Sequence, residues 1–294
     1  MNVYEGESFA DVYRDSLVDL FKNPQFESSP RGLACKENTD ISLVIKNPIK
    51  AFYSNPRRSS QLKYIAAELV WYFNRSADVN FITKYASFWG HIKNDDDTVN
   101  SSYGNLLFNP SIENHNLSQY EWALESLIRD KDSRQSIMHF NLPKHQYQSN
   151  KDFVCTMYGI FHIRDNKLNF KVSMRSNDAI LGTPTDVAFF TVLQQQALLH
   201  LRGMYPELEL GTYTHCVDSY HVYEKNFELV QKMLENKFIS VDAPEVNFNI
   251  IYSNSSTTLE MEELYNNIME NDGKITPSET ETQNNVMKFL YDNL

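Results

Sequence analysis

The sequence predicts an α+β fold in which helices lie against one broad sheet. Three observations carry that expectation. Strand-like and helix-like segments are mixed without the strict alternation of a βαβ chain. Two strong strand patterns, "DFVCTMYGIFHI" and "KLNFKVSMRS", are joined by "RDNK", a turn of the hairpin kind. A chain of 294 residues with 41% hydrophobic and 13% aromatic side chains can bury one large core, so a single domain with a tail is expected.

The elements follow in chain order. Phe9, Val12, Tyr13, Leu17, Leu20 and Phe21 recur at helical spacing and predict a helix over residues 8–22. "SSPRGLACKENTD" is turn-rich, and "ISLVIKNP" then reads as a strand. Residues 60–90 form the most helical region, with a break around Ser76 to Asp78. A loop from "NDDDTVNSSYGN" leads to a helix at 118–130, and "DSRQSIMHFNLP" reads as a strand before the hairpin. Beyond the hairpin, "VAFFTVLQQQALLHL" is a helix, and "ELELGTYTHCVDSYHVYEKNFELVQKML" is a strand followed by a helix. "VNFNIIY" is expected as a late strand. Residues 1–253 are the expected main domain. Residues 254–294, rich in Asn, Glu, Ser and Thr, are expected as a peripheral or mobile appendage ending in the amphipathic turn "VMKFLYDNL".

Charge and composition exclude several classes. A net charge of −11 argues against general nucleic-acid binding, which needs a basic face. No apolar run is long enough to span a bilayer, and the acidic N-terminus lacks the order of a secretion signal. Cys35, Cys155 and Cys216 cannot all pair and form no CxxC motif, so neither a disulfide framework nor a zinc site is supported, and no metal is expected. A reducing, cytoplasmic setting is the simpler account.

Some residues stand out chemically. Cys155 reads either as a small core hydrophobe or as a thiolate supported by a cation, and Arg175 lies on the other leg of its hairpin. Arg31, Arg134 and Arg175 each sit beside a serine or glycine, in "SPRG", "DSRQ" and "MRSN". They are either ordinary surface charges or a phosphate cradle, since guanidinium binds phosphate bidentately. Glu68 is the odd carboxylate in the apolar "AAELVWYF", either solvated or buried with a raised pKa. His221 and Tyr223 place two hydrogen-bonding rings close together.

In order, these fragments resemble the thymidylate synthase family: "ELVWYF", "FWG", "SSYGN", "DSRQ", a cysteine, "RSNDAILGTPTDVA" and "HVY", covering roughly residues 28–235. The stretch from Cys155 to Asp186 is the specific part, keeping family spacing without a gap. The resemblance implies a thymidylate synthase-like fold, with a large mixed sheet covered by helices, and a sheet-to-sheet homodimer. It implies that Cys155 adds to C6 of a pyrimidine nucleotide, and that 5,10-methylenetetrahydrofolate is the co-substrate. Arg31, Arg175 and Ser176 match phosphate-binding positions, and Arg134 matches an arginine that reaches the partner subunit's site. Glu68 matches a proton-relaying carboxylate, Tyr103 a tyrosine near the thiol, and His221 and Tyr223 the pair that holds the sugar hydroxyl. Trp89, Asp178 and Gly182 match the folate side. The chain departs from the family at Val154 and Thr156 around the cysteine, at Gln135 after Arg134, and at Ser219, where an acid is usual unless Asp218 takes its role.

Asp186 stands where thymidylate-forming members carry asparagine. A carboxylate accepts from cytosine's amino group and, with a proton on N3, takes a second charge-assisted bond. Facing uracil it would oppose O4, acceptor against acceptor. The resemblance therefore implies a deoxycytidylate (dCMP) 5-hydroxymethylase of the kind found in phages, which adds water where thymidylate synthases transfer hydride. Alternatives stay open: a helix N-cap role for Asp186, a thymidylate synthase acting on deoxyuridylate (dUMP), or a catalytically idle interaction subunit.

Overall fold

The computed structural model describes residues 2–58, 61–112, 115–235, 254–271 and 285–294. Its first elements are β1 (Asn2–Gly6), α1 (Phe9–Lys22), β2 (Phe26–Ser28) and β3 (Cys35–Ile45). Next come α2 (Gln61–Phe73), α3 (Phe88–Ile92), α4 (Tyr103–Phe108), β4 (Pro110–Ile112), β5 (Leu117–Ser118), α5 (Gln119–Arg129) and β6 (Ile137–His139). The hairpin β7 (Thr156–Arg164) and β8 (Lys167–Met174) precedes β9 (Asn177–Asp178), α6 (Thr183–Leu201), β10 (Glu209–Tyr223) and α7 (Phe227–Glu235). Two helices, α8 (Asn254–Glu270) and α9 (Asn285–Asn293), follow.

One mixed sheet organises the chain in the order β1-β3-β10-β8-β7-β6, with β2 on β3 and β9 on β10. The long β10 is antiparallel to β3 and parallel to β8. Asp165 and Asn166 both take left-handed backbone angles in the β7–β8 turn, the conformation a tight two-residue hairpin requires. Alternation along the strands fixes which face is covered. Leu168, Phe170, Val172 and Met174 on β8, with Tyr213, His215 and Val217 on β10, are buried. Their alternates Asn169, Ser173, Thr212, Thr214 and Cys216 are only half-buried, so the helices cover one face of the sheet. The central helix α6 has no distinct polar face and is buried along most of its length, Gln194, Gln195 and Gln196 included.

Three sequence expectations change. The strand at "ISLVIKNP" starts earlier, at Cys35, because pairing with the long β10 extends it through "CKENTD". Cys155 precedes β7 by one residue and is not in a strand. The described residues from 254 onward are not peripheral: α8 and α9 pack on α2, and Met261, Leu264, Ile268, Met287, Phe289 and Leu290 are buried. Phe289 packs edge-on to Phe52 at 4.8 Å, and Tyr265 stacks on Phe81 at 4.7 Å. Apolar residues are sparse there, but they recur at helical spacing, and each one buried is worth about 1.5–3 kcal/mol. The strand expected at "VNFNIIY" and the 253/254 boundary lie outside the described residues.

Candidate active site

The hairpin register builds the thiol's surroundings. Thr156 pairs with Met174, so the residues just beyond the two strand ends meet. Arg175 N–H donates to the Cys155 carbonyl at 2.9 Å. The guanidinium folds over the same turn, donating to the carbonyls of Phe153 (2.5 Å) and Val154 (3.1 Å), and lies 3.5 Å from Cys155 Sγ. Burial pushes the thiol's pKa up. The Arg175 and Arg31 charges pull it back, while Asp186 and Asp152 push it further up.

Facing the thiol is a carboxylate floor. Glu68, buried on α2, accepts from Tyr64 at 2.7 Å and Tyr72 at 3.2 Å, and Tyr64 in turn accepts from Trp89 Nε1 at 2.9 Å. Burial, reinforced by the Asp186 charge, pushes the Glu68 pKa up to about 8. Asp186 lies in the first turn of α6. Its Oδ2 accepts from Asn177 Nδ2 at 2.7 Å and its Oδ1 from the Tyr103 hydroxyl at 3.3 Å. Burial lifts its pKa to about 7 against the pull of these two donors.

Asp186 does not cap its helix. The N-cap is Gly182 and Pro184 follows in the first turn, so α6 starts four residues before the expected Val187. Both carboxylate oxygens turn to side-chain donors instead. Tyr103 is set in place by a close helix crossing, since a Cβ at Gly104 would overlap the Tyr72 backbone. The Tyr103 ring stacks on Tyr72 and Phe190, and its hydroxyl also accepts from Thr156 Oγ1 at 2.7 Å. Thr156, one of the departures beside the cysteine, thus extends the floor's hydrogen-bond network.

The remaining expected residues fall into two groups. Trp89 is buried edge-on to Trp71 and reaches the floor through Tyr64, while its neighbour Phe88 is 60% exposed. Asp178 Oδ1 closes its own turn, accepting from the Ile180 and Leu181 N–H groups. Gly182 lies against the Asn177–Asp186 pair, where a Cβ would sit 2.8 Å from Asn177 Nδ2. His221 and Tyr223, two apart on β10, contact edge-on at 4.9 Å. Arg31 is exposed in a tight turn with φ 55°, its charge acting on Cys155; Ser176 is half-buried beside Arg175. Arg134 is exposed, and among the described residues it makes no hydrogen bond or ion pair and has no tie to the thiol. Ser219 donates to Glu37 on β3, which also accepts from Ser28, so a carboxylate from the adjacent strand stands at that departure. Asp218, the alternative for that role, is exposed on β10.

Several site residues were not singled out in the sequence: Tyr64, Tyr72, Asn177, Tyr213 and Arg58. Arg58 has a mostly buried guanidinium that donates to the Ile180 carbonyl. Tyr64 and Tyr72 were readable in principle, standing four residues either side of Glu68 on one helix face.

A thymidylate synthase family model matches residues 36–274. The chain is 33% identical over 175 residues to the deoxycytidylate 5-hydroxymethyltransferase of Enterobacteria phage T6, covering 57% of this chain and 70% of that one. It is 26% identical over 265 residues to the deoxyuridylate hydroxymethyltransferase of Bacillus phage SP01, covering 84% and 66% respectively. Thermostable thymidylate synthase A from Bacillus subtilis superposes with a TM-score of 0.66 at 22% identity, over 83% of this chain and 90% of that one. Among the described residues no helix is long and apolar enough to cross a membrane, and no group of three or more acidic, His or Cys side chains could hold a metal ion.

Proposed function

The chain belongs to the thymidylate synthase family, and from that premise we propose that it is a dCMP 5-hydroxymethylase, transferring a one-carbon unit to C5 of the nucleotide with addition of water. The observation that carries this reading is Asp186. Its carboxylate, close enough to Glu68 and Cys155 to perturb both, takes side-chain donors on both oxygens and caps no helix. A carboxyl group with a pKa near 7 suits cytosine, which offers an amino donor beside a ring nitrogen that binds a proton.

Cys155 is the proposed nucleophile at C6, and Arg175, 3.5 Å from Sγ, stabilises its thiolate. One proton shared between Asp186 and cytosine N3 would neutralise a charge that holds the thiol protonated, so base recognition and nucleophile activation are coupled. Glu68, protonated at neutral pH, holds a proton beside the ring. Arg31, Arg175 and Ser176 are the proposed phosphate ligands, joined by Arg134 of a second copy. His221 and Tyr223 are proposed to hold the sugar. 5,10-Methylenetetrahydrofolate, when bound, supplies the one-carbon unit. A flat pterin-like group is proposed to lie beside Trp89, where the ring of exposed Phe88 adjoins it. Asp178 and Gly182 are proposed on the same side.

The uncovered sheet face, with half-buried Tyr158, Ile160, Ser173 and Cys216, is proposed to pair with that of a second copy. A second reading, hydroxymethylation of dUMP, is favoured by the resemblance to the Bacillus phage SP01 protein over 84% of the chain. Incubating the protein with methylenetetrahydrofolate and each pyrimidine monophosphate, then weighing the products, separates the readings. A hydroxymethyl group gained by dCMP supports the proposal. Reaction of dUMP alone overturns it, with a hydroxymethyl product supporting the second reading and a methyl product a thymidylate synthase.

A further inference from the structure

Behind Asp186 lies a hydrogen-bonded line that neither the thiol chemistry nor the phosphate site uses. Asn177 is buried on β9, and both ends of its amide are engaged. Nδ2 donates to Asp186 Oδ2 at 2.7 Å, while Oδ1 accepts from Thr183 Oγ1 at 2.5 Å and faces His215 Nε2 at 3.1 Å. His215, fully buried on β10, has its other nitrogen, Nδ1, 2.8 Å from the Tyr213 hydroxyl. Burial drives the His215 pKa down to about 3, so the ring is neutral and carries one proton.

The logic of the line is directional. If the Tyr213 hydroxyl donates to Nδ1, the ring proton sits on Nε2 and is donated to Asn177 Oδ1. That fixes the amide with its NH2 toward Asp186 and makes Oδ2 an acceptor at all times. A proton arriving on Asp186 must then settle on Oδ1. With the opposite tautomer, Nε2 would call for the amide NH2, and Asn177 Oδ1 would face Asp186 Oδ2 instead.

We propose that Tyr213, His215 and Asn177 are positioning residues that fix the polarity of the Asp186 carboxyl group, one oxygen accepting and the other carrying the proton, and so determine which pyrimidine is read. The proposal rests on the reading of Asp186 as the base-recognition group. A protonated carboxyl free to place its proton on either oxygen matches both bases. Cytosine presents donor then acceptor, from N4 to N3, and uracil presents the same pair in reverse order, from O4 to N3. A carboxyl of fixed polarity matches only one. Selectivity therefore resides in the relay as much as in Asp186. Gly182 is part of the arrangement, since any side chain there would meet the Asn177 amide nitrogen.

The test combines one spectroscopic and one kinetic reading on the full chain. In protein labelled with 15N-histidine at pH 8, His215 is expected as the Nε2–H tautomer; the Nδ1–H tautomer would overturn the relay whatever the enzyme's substrate proves to be. Kinetically, Tyr213→Phe is expected to lower the ratio of kcat/KM for dCMP over dUMP by about tenfold, the size of one lost hydrogen bond, with the melting temperature as a check on folding. His215→Gln, which keeps a donor near the Nε2 position, is expected to hold the ratio better than His215→Leu. If the parent enzyme makes hydroxymethyl-dCMP and both Tyr213→Phe and His215→Leu leave the ratio unchanged, the relay proposal fails and the function stands. If the parent leaves dCMP untouched, the function fails, and the His215 tautomer still decides whether the polarity is fixed.

Discussion

The proposed base-facing floor and the proposed phosphate rim of the site are built on opposite terms. On the floor, Glu68 and Asp186 come from long buried helices, and their carboxylates are held by Tyr64, Tyr72, Tyr103 and Asn177. On the rim, Arg31 stands exposed in a strained turn and Arg134 touches no partner among the described residues, while Arg175 alone is tied down. The floor is organised by one chain before any ligand arrives. The proposed rim is held more loosely, which suits a site where a dianion supplies the binding energy and a second copy is proposed to supply a ligand. Preorganisation is concentrated where charge must be read, because desolvated carboxylates without partners would be costly.

The harshest way to break this comparison is at its junction. Cys155 lies between floor and rim, and Cys155→Ala should reduce turnover to the assay background with fold and dCMP binding retained. Near-parental turnover in that variant would end the covalent mechanism.

The floor's cost should be visible without any substrate. Glu68 keeps its proton up to about 8 in the folded chain, whereas a carboxyl exposed on unfolding releases it near the ordinary 4.5. The unfolded state therefore binds fewer protons between those values, and this contribution to stability is present below 4.5 and is lost as pH rises toward 8. Glu68→Gln lacks the titration. Relative to parent, it should gain on the order of a few kcal/mol between pH 5 and pH 8, read from denaturant midpoints at each pH. A parallel pH dependence in the two proteins would show that Glu68 is hydrated and that the floor is not desolvated.

Much of the floor was legible in the sequence, and its supports were not. "RSNDAILGTPTD" carries Arg175 and Asp186 at a spacing that places one at a strand end and the other in a helix. Pro184 was a signal of the true helix start, because proline is tolerated in the first turn, where its missing N–H leaves no bond unmade. Asn177 looked like any turn residue: its partner His215 is 38 residues away, on another strand of the sheet. The helices after residue 254 escaped for another reason. Their composition is polar, and a helix docking on an already apolar surface needs only one or two apolar side chains per turn.

Asp186→Asn sharpens the comparison from within the floor. The amide keeps the shape and one acceptor but replaces the titrating oxygen with a donor. Turnover of dCMP should fall about ten- to a hundredfold, the size of a lost charge-assisted bond, while tritium release from C5-labelled dUMP rises. An unchanged ratio between the two bases would remove Asp186 from base selection.

The rim makes the gentlest prediction and the one that reaches beyond a single chain. Arg134 sits on the connection between α5 and β6, exposed and without a hydrogen bond or ion pair among the described residues. If it serves the site of a second copy, Arg134→Ala damages the neighbour's site and Cys155→Ala damages its own. In a heterodimer of these two chains both defects fall on one site, and the other site is intact. Random exchange of equal amounts makes half the dimers mixed, with one good site of two, so activity should recover to about a quarter of the parent's. If Arg134 instead acts within its own chain, each site of the heterodimer carries one defect, and mixing adds nothing to the residual activity of the Arg134→Ala protein. Subunit exchange, followed by mass spectrometry of the intact dimers, must accompany the assay. Verified heterodimers without recovery would confine the rim to one chain, and the contrast between a finished floor and a shared rim would no longer hold.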